Sequence, residues 1–438
     1  MTRTPIKATD ARQEVVSLGC RLNLAEGEAV KRALKENAAG DIGVINTCAV
    51  TNEAVRRSRQ QIRRMRRNAP DRPLFVTGCA AQIDPESFAD MAEVDGVIGN
   101  DVKSDPTAWR DLLAMEPGEG AVRVNDIMSV RTTAPQLVEG YGERARAFIQ
   151  VQNGCDHRCT FCIIPYGRGN ARSAPIENIV PQAKALVDAG HAELVITGVD
   201  ITSWGSDLDG TPVLGDLVSA ILDAVPDLRR LRLSSIDGAE IDPLLHDLIA
   251  SDARIAPHIH LSVQSGDDMI LKRMKRRHNR QDIIQLCTDL RNKRPGIAFG
   301  ADIIAGFPTE SDEMFENSLK LIDDAGLNYL HIFPFSPRKG TPAARMPQMD
   351  KAVIKERAAK LRQAGVRAEE MFFKQLIGTV DDAILETGGV ARLGNFAPVQ
   401  LAKPDGAQPG TMVKIRVAAY RDGVLMGAPV RAISAAAS

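Results

Sequence analysis

Ala147-Phe-Ile-Gln-Val-Gln-Asn-Gly-Cys155-Asp-His-Arg-Cys159-Thr-Phe-Cys162 joins an apolar run to three closely spaced cysteines. AFIQVQ reads as a strand, and the CxxxCxxC segment as the loop that leaves its end. Five further strand candidates follow, ELVITG, LRLSSI, HIHLSVQ, IAFGADIIAG and YLHIFPFS, spaced by helical segments. Such alternation implies a parallel sheet, and six βα units predict an open, partial barrel. Loops at the carboxyl ends of barrel strands converge on one mouth, so the cysteine loop stands where a barrel carries its chemistry.

Toward the N-terminus, EVVSL, DIGVIN, PLFVTG and VDGVIG read as strands, with helices near Ala25 to Glu36, Asn52 to Arg67 and Pro85 to Ala92. They predict an open parallel-sheet α/β domain. RTTAPQLVEGYG, Arg131 to Gly142, has neither helical nor strand periodicity and reads as a linker. Toward the C-terminus, Asp350 to Leu376 reads as a charged amphipathic helix. After it, GTVDDAILE, APVQLA, MVKIRVAAY and GVLMGAPV are short alternating segments joined by turn residues, the pattern of a small OB-like β-barrel. The expected domains are residues 12–130, 143–372 and 373–434, and AISAAAS is expected to be a frayed tail.

The 438 residues suit about three domains at roughly 150 residues each. With 44% apolar and 25% charged residues, disorder and collagen-like repeats are excluded. Lys plus Arg number 55 against 56 Asp plus Glu, so nucleic-acid binding would have to come from local clusters. Seven cysteines are too few for a disulfide scaffold and odd in number, which points to a reducing compartment. No signal-peptide pattern and no apolar run of roughly 20 residues is present, so the expected location is cytoplasmic, without membrane contact.

Three thiolates as close as Cys155, Cys159 and Cys162 can hold three irons of a 4Fe-4S cubane and leave the fourth open. Zinc is the alternative, but it normally takes four ligands from two separate halves, and no second half follows. Cys20, Cys48 and Cys79 each come directly after a predicted strand. Strand carboxyl ends share one edge of a parallel sheet, so these thiols are expected to meet as a second three-cysteine site. Taken singly, each would read as a small buried hydrophobe. Cys287, among apolar neighbours at helical spacing, reads as core.

The cysteine loop, with Phe161 before its last cysteine, resembles the signature of radical S-adenosylmethionine enzymes. LGCRLN, NTCAVTNEAVRRSRQ, VTGCAAQ and QNGCDHRCTFCIIPYGRGNARS narrow the resemblance to the methylthiotransferases, over about Glu14 to Gly427. Within that family, VTNEAVRRSRQ, HIHLSVQSGDDMILKRMKRRHNR and HIFPFSPRKGTPAA are most similar to members acting on threonylcarbamoyladenosine in tRNA. Relatives acting on isopentenyladenosine tRNA or on an aspartate of ribosomal protein S12 share the architecture. Trp204 stands where Tyr is commoner.

The resemblance implies a radical barrel, a C-terminal TRAM domain, two 4Fe-4S clusters, one binding S-adenosylmethionine and one auxiliary, and methylthiolation of adenosine 37. It also implies an electron donor, a sulfur donor, the tRNA anticodon loop as partner, and a monomer. Expected cofactor-binding residues are Phe161 and the strand-end positions Thr197, Gly198, Ser234, Ser235 and Gln264, each of which also reads as a turn or cap. Arg168 and Arg172 are expected to meet the anticodon loop. Arg56 to Arg67 on one helix and Lys272 to Arg280 on another read as solvated faces or phosphate contacts. In the C-terminal barrel the sparse aromatics, Phe396 and Tyr420, leave base stacking a minor contribution.

Overall fold

A computed structural model describes residues 13–37, 40–114, 121–131, 145–402 and 408–430. The linker after Arg131 and the C-terminal tail fall outside the described residues. The first sheet has five parallel strands in sequential order: β1 (Gln13–Ser17), β2 (Ile42–Thr47), β3 (Leu74–Gly78), β4 (Gly96–Ile98) and β5 (Ala121–Arg123). The last was not expected, because three residues are too few to show a period of two. Helix α1 (Arg21–Glu36) packs Val30, Ala33 and Leu34 on one face, while α2 (Asn52–Asn68) packs Ile62 and Met65 on the other. The sequence places the start of α1 too late, since polar Asn23 and Glu26 interrupt its apolar stripe although both are buried.

All six expected barrel strands form: β6 (Ala147–Gln150), β7 (Glu193–Thr197), β8 (Arg230–Leu233), β9 (His258–Gln264), β10 (Ala298–Ala305) and β11 (Tyr329–Pro334). β6, β7 and β8 pair in parallel. Just past β8, Ser235 and Ile236 pair with β9, which continues to β10 and β11. The chain thus changes ladders within a few residues and bends the sheet into an open barrel. Ile149, Leu194, Ile196, Leu231, Ile259 and Phe299 face the helical layer in one large core that also holds fully buried Cys287. Their neighbours Gln150, Glu193, Arg230, Arg232, His258 and His260 point the other way, into the lumen.

A long helix (Lys351–Gln375) leads to a closed five-stranded barrel of β12 (Val380–Leu385), β13 (Val390–Leu393), β14 (Pro398–Leu401), β15 (Met412–Arg421) and β16 (Val424–Pro429). The sequence shows four of these strands; β13, the short VARL between glycine turns, completes the closure.

Buried in the lumen, Glu193 accepts from Arg232 Nε at 2.6 Å and Arg230 Nη1 at 3.2 Å. Burial alone would raise its carboxyl, but the two arginines outweigh that and hold it at about 2. With the folded value below the ordinary one of about 4.5, this ionised carboxylate stabilises the fold above about pH 4.5. That contribution is lost as pH falls toward 2. Chemical denaturation of Glu193→Gln should show a loss of about 3–5 kcal/mol at pH 7, with a shallower stability decline between pH 4.5 and 2 than the parent chain.

Candidate active site

Register brings the first three cysteines together. Thr47 stands opposite Gly78 in the β2–β3 ladder, so Cys48 and Cys79 leave the sheet at the same level. On the other side of β2, Cys20 follows β1 by three residues and occupies the N-cap position of α1. It makes no capping hydrogen bond there, whereas Thr51 caps α2 by accepting from Ala54. Cys79 is the first residue of α3 (Cys79–Ile83), so two of these thiols sit at helix N-termini. Gly19, at φ +93°, lets the chain turn beside Cys48; a Cβ there would lie 2.7 Å from the Cys48 Sγ. Burial pushes the Cys48 thiol up to about 11, and Cys79 and Cys20 add to it by repulsion. The strand order has no reversal, so the three cysteines share one sheet edge because neighbouring strands end in register and not at a topological switch.

The second trio lies on the loop after β6. Cys155 N donates to Gly169 O at 3.1 Å, Cys162 N to Cys159 O at 3.0 Å, and Thr160 N to Met274 O at 3.1 Å, which ties the loop to the helix Asp268–Met274. Gln152 Oε1 accepts from the amides of Val199 and Asp200 at 3.0 and 2.9 Å, fixing the turn after β7. That turn sets Asp200 Oδ2 3.5 Å from Cys155 Sγ and 3.0 Å from His157 Nε2, which also meets Glu240 Oε2 at 3.2 Å. Hydrogen bonds that His157 donates to these two carboxylates push it up to about 10, which favours the cationic imidazole at neutral pH. Arg276 Nη1 approaches Cys159 Sγ at 3.5 Å while its Nη2 donates to Asp237 at 2.6 Å. Burial raises the Cys155 thiol, and raises Cys162 to about 12. Beside this loop lies a cavity of about 320 Å³ lined by Asp156, His157, Asp200, Thr202 and Glu240, among others.

One short helix joins the trios. Helix α4 (Ile164–Arg168) begins two residues after Cys162 and is about 8 Å long at 1.5 Å per residue. It packs on α3 closely enough that a Cβ on Gly167 would lie 3.1 Å from the Cys79 Cβ. At its end, Arg168 Nε donates to Cys79 Sγ at 3.0 Å, and its other nitrogens bond Glu26 and Asn23 of α1. Glu26 also accepts from Lys103 Nζ at 2.6 Å, and all three side chains are buried. The expectation that Arg168 and Arg172 meet tRNA is therefore corrected. Both are buried, and Arg172 donates to the carbonyls of Arg168 and Asn170 at 2.9 and 2.8 Å.

Phe161, partly buried, packs against the apolar cluster that includes Phe307 and Phe335. Thr197, Ser234 and Gln264 lie at or just past the carboxyl ends of β7, β8 and β9, on the edge that carries the cysteine loop, and Gly198 follows Thr197. Ser235 is exposed. Gln264 holds φ at +73°, a conformation a non-glycine residue adopts at a cost. Asp200, His157, Glu240 and Glu26 escaped the sequence reading, and Arg276 entered it only as one of a basic run. Only Glu26 left a signal there, a charge set into an apolar helical stripe.

Both trios have the donor chemistry for an iron–sulfur group. Among the described residues neither brings all three sulfurs within 4.8 Å of one another, whereas thiolates sharing one zinc at about 2.3 Å would sit roughly 3.8 Å apart.

Family models for the Radical SAM superfamily and for the uncharacterized protein family UPF0004 match residues 149–322 and 12–99. The chain is 53% identical to the "threonylcarbamoyladenosine tRNA methylthiotransferase MtaB" of Rickettsia prowazekii, over 91% of this chain and 93% of that one. It belongs to the MtaB-type methylthiotransferase family. The MtaB of Bacillus subtilis is 35% identical over 84% and 83% of the two chains. A "tRNA-2-methylthio-N(6)-dimethylallyladenosine synthase" of Novosphingobium aromaticivorans is 33% identical over 88% and 89%. Among solved structures, the radical S-adenosylmethionine methyltransferase TsrM of Kitasatospora setae, with cobalamin and a [4Fe-4S] cluster bound, shares the fold. It superposes with TM-score 0.52 at 16% identity, over 75% of this chain and 77% of that one.

Replacing Arg168 by Gln leaves Glu26 with Lys103 alone in a buried setting. We expect unfolding titrations to show a loss of about 3–5 kcal/mol, and Cys79 to become the faster-alkylated buried thiol while Cys287 stays protected. Unchanged stability and labelling would show that Arg168 does not hold the two domains together.

Proposed function

We propose that this chain methylthiolates C2 of N6-threonylcarbamoyladenosine at position 37 of tRNA, giving 2-methylthio-N6-threonylcarbamoyladenosine. Membership in the MtaB-type family supports the reaction. The observation that carries it is that α4 runs from the cysteine loop after β6 to the strand-end trio, where its Arg168 donates to Cys79 Sγ. In this reading Cys155, Cys159 and Cys162 hold the 4Fe-4S cluster that binds S-adenosylmethionine, and Cys20, Cys48 and Cys79 hold the auxiliary one. When bound, these groups supply one-electron chemistry, hydrogen abstraction, sulfur and methyl.

The residues of the chain do the positioning. Arg276 and Arg168 donate to one thiolate in each trio and offset its charge. His157 keeps its Nε2 proton between Asp200 and Glu240, which fixes the loop between Cys155 and Cys159. Phe161 and the strand-end residues Thr197, Gly198, Ser234, Ser235 and Gln264 would border the S-adenosylmethionine. The exposed Arg56, Arg57, Arg63, Arg64 and Arg67 of α2, and the C-terminal barrel, would meet tRNA phosphates and shape. Neither Phe396 nor Tyr420 is offered to a base: the first turns into the radical barrel and the second packs near Phe373. Among the described residues no helix is long and apolar enough to cross a membrane. We place the enzyme in the cytoplasm as a monomer, served by a separate electron donor and sulfur donor.

Anaerobically reconstituted protein should carry about eight irons, and Cys48→Ala should keep S-adenosylmethionine cleavage while losing methylthiolation. Mass analysis of tRNA nucleosides from a deletion strain decides the substrate. The methylthio form of threonylcarbamoyladenosine should vanish; if it persists and that of isopentenyladenosine disappears, the substrate assignment is wrong.

A further inference from the structure

The lumen of the radical barrel narrows onto a floor that the C-terminal barrel supplies. Between β13 and β14, Phe396 is held at φ +75°, outside the range a bulky side chain prefers, and its ring stacks on His258 at 4.9 Å. Four guanidinium groups surround that ring: Arg392 at 4.6 Å, Arg232 at 4.9 Å, Arg21 at 5.3 Å and Arg146 at 5.5 Å from its centroid. They come from the C-terminal barrel, β8, α1 and the residue before β6, so all three domains contribute.

Charge here is unbalanced. With Arg230, five guanidinium groups face two carboxylates, Glu193 and Glu386. One layer up the lumen, Asp302 is already engaged by His260 at 2.9 Å and His331 at 3.2 Å. Burial, then Arg232, drives His258 well below its ordinary value, so it adds no charge; burial, then Arg232 and Arg146, lowers Arg21 to about 10.

Hydrogen bonding is incomplete as well. Arg232 is fully buried and spends only Nε on Glu193, leaving Nη1 and Nη2 without a partner. Arg146 Nη1, His258 Nδ1 and both amide atoms of Gln150 are buried and unpartnered too. Buried donors normally find acceptors, and charged ones are the most costly to leave bare. A group of orphans pointing into one lumen marks a place built for an anion.

We propose that this cationic floor binds a carboxylate, the α-carboxylate that the threonylcarbamoyl group carries, while the adenine lies above it among the strand ends. The proposal deepens the function proposed above and rests on it for the substrate. Arg232 precedes Ser234 by two residues, about 7 Å along a strand, and the carbamoyl-threonine arm spans roughly 5 Å from N6 to the carboxyl carbon at ordinary bond lengths, so the arm meets Arg232 when the adenine edge sits slightly inside the lumen, below the level of Ser234. An isopentenyl group offers these guanidinium groups nothing, so binding it would leave them bare.

The test uses reconstituted holoenzyme and anticodon stem-loop oligonucleotides carrying either threonylcarbamoyladenosine or its neutral threoninamide counterpart. Fluorescence anisotropy should show the acid binding about tenfold to a hundredfold more tightly. In Arg146→Gln and in Arg21→Gln that preference should fall below about threefold, and Arg146→Lys should restore part of it. Iron content of each variant verifies that the clusters are present. Equal binding of acid and amide by the parent enzyme would overturn the proposal, as would variants that weaken both ligands by the same factor. If the preference for the acid is intact but neither oligonucleotide is methylthiolated, the proposed function fails and the carboxylate site stands.

Discussion

Glu26 is a fully buried carboxylate, and the two cations it needs come from different parts of the chain. Lys103 lies in the turn after β4 of the N-terminal sheet; Arg168 ends the helix that leaves the radical loop. A buried charge deprived of one partner is far more costly than a surface pair, so α1 and α4 are obliged to stay together. Because Cys20 stands at the N-terminus of α1 and Arg168 touches Cys79, the same constraint that docks the domains also sets one cysteine trio against the other.

Polar burial runs through the rest of the molecule. The outer face of the barrel strands is conventional, with Ile149, Leu194, Ile259 and Phe299 under helices. Their inner face carries Glu193, Arg232, His258 and Asp302, which an aliphatic interior would not tolerate without partners. Most find them within the barrel, and those that do not are concentrated at Phe396. A strained backbone turn at Phe396, and another at Gln264 on the opposite end of the same lumen, mark its two ends.

The basic runs behave differently from one another. On α2, Arg56 and Arg57 share Glu53 at the surface and Arg66 is tied to Asp95 and to carbonyls, which leaves an exposed face of net positive charge. In the run from Lys272 to Arg280, Arg273, Arg276, Arg277 and Arg280 are bonded to Thr309, Asp237, Glu240 and Asp324. The second run is chiefly a brace for the cysteine loop, and α2 is the better surface for a phosphate backbone.

Local pattern was enough for much of this. Period-two runs between helical stretches define six barrel strands, and cysteines at strand exits define two trios, because both signals lie within a few residues of chain. Spacing of a few residues cannot say which distant side chains meet. Arg168 looked like an RNA contact, standing in a polar segment beside the loop, and proved to be interior, since its partners Asn23 and Glu26 lie more than a hundred residues away. The same holds for Asp200 under Cys155 and for the four arginines around Phe396, whose positions only long-range packing brings to one point. Sequence alone determined the longer elements and the sulfur ligands on offer; tertiary structure decided which charges are buried together, because burial is a property of the assembled domains and of no single segment.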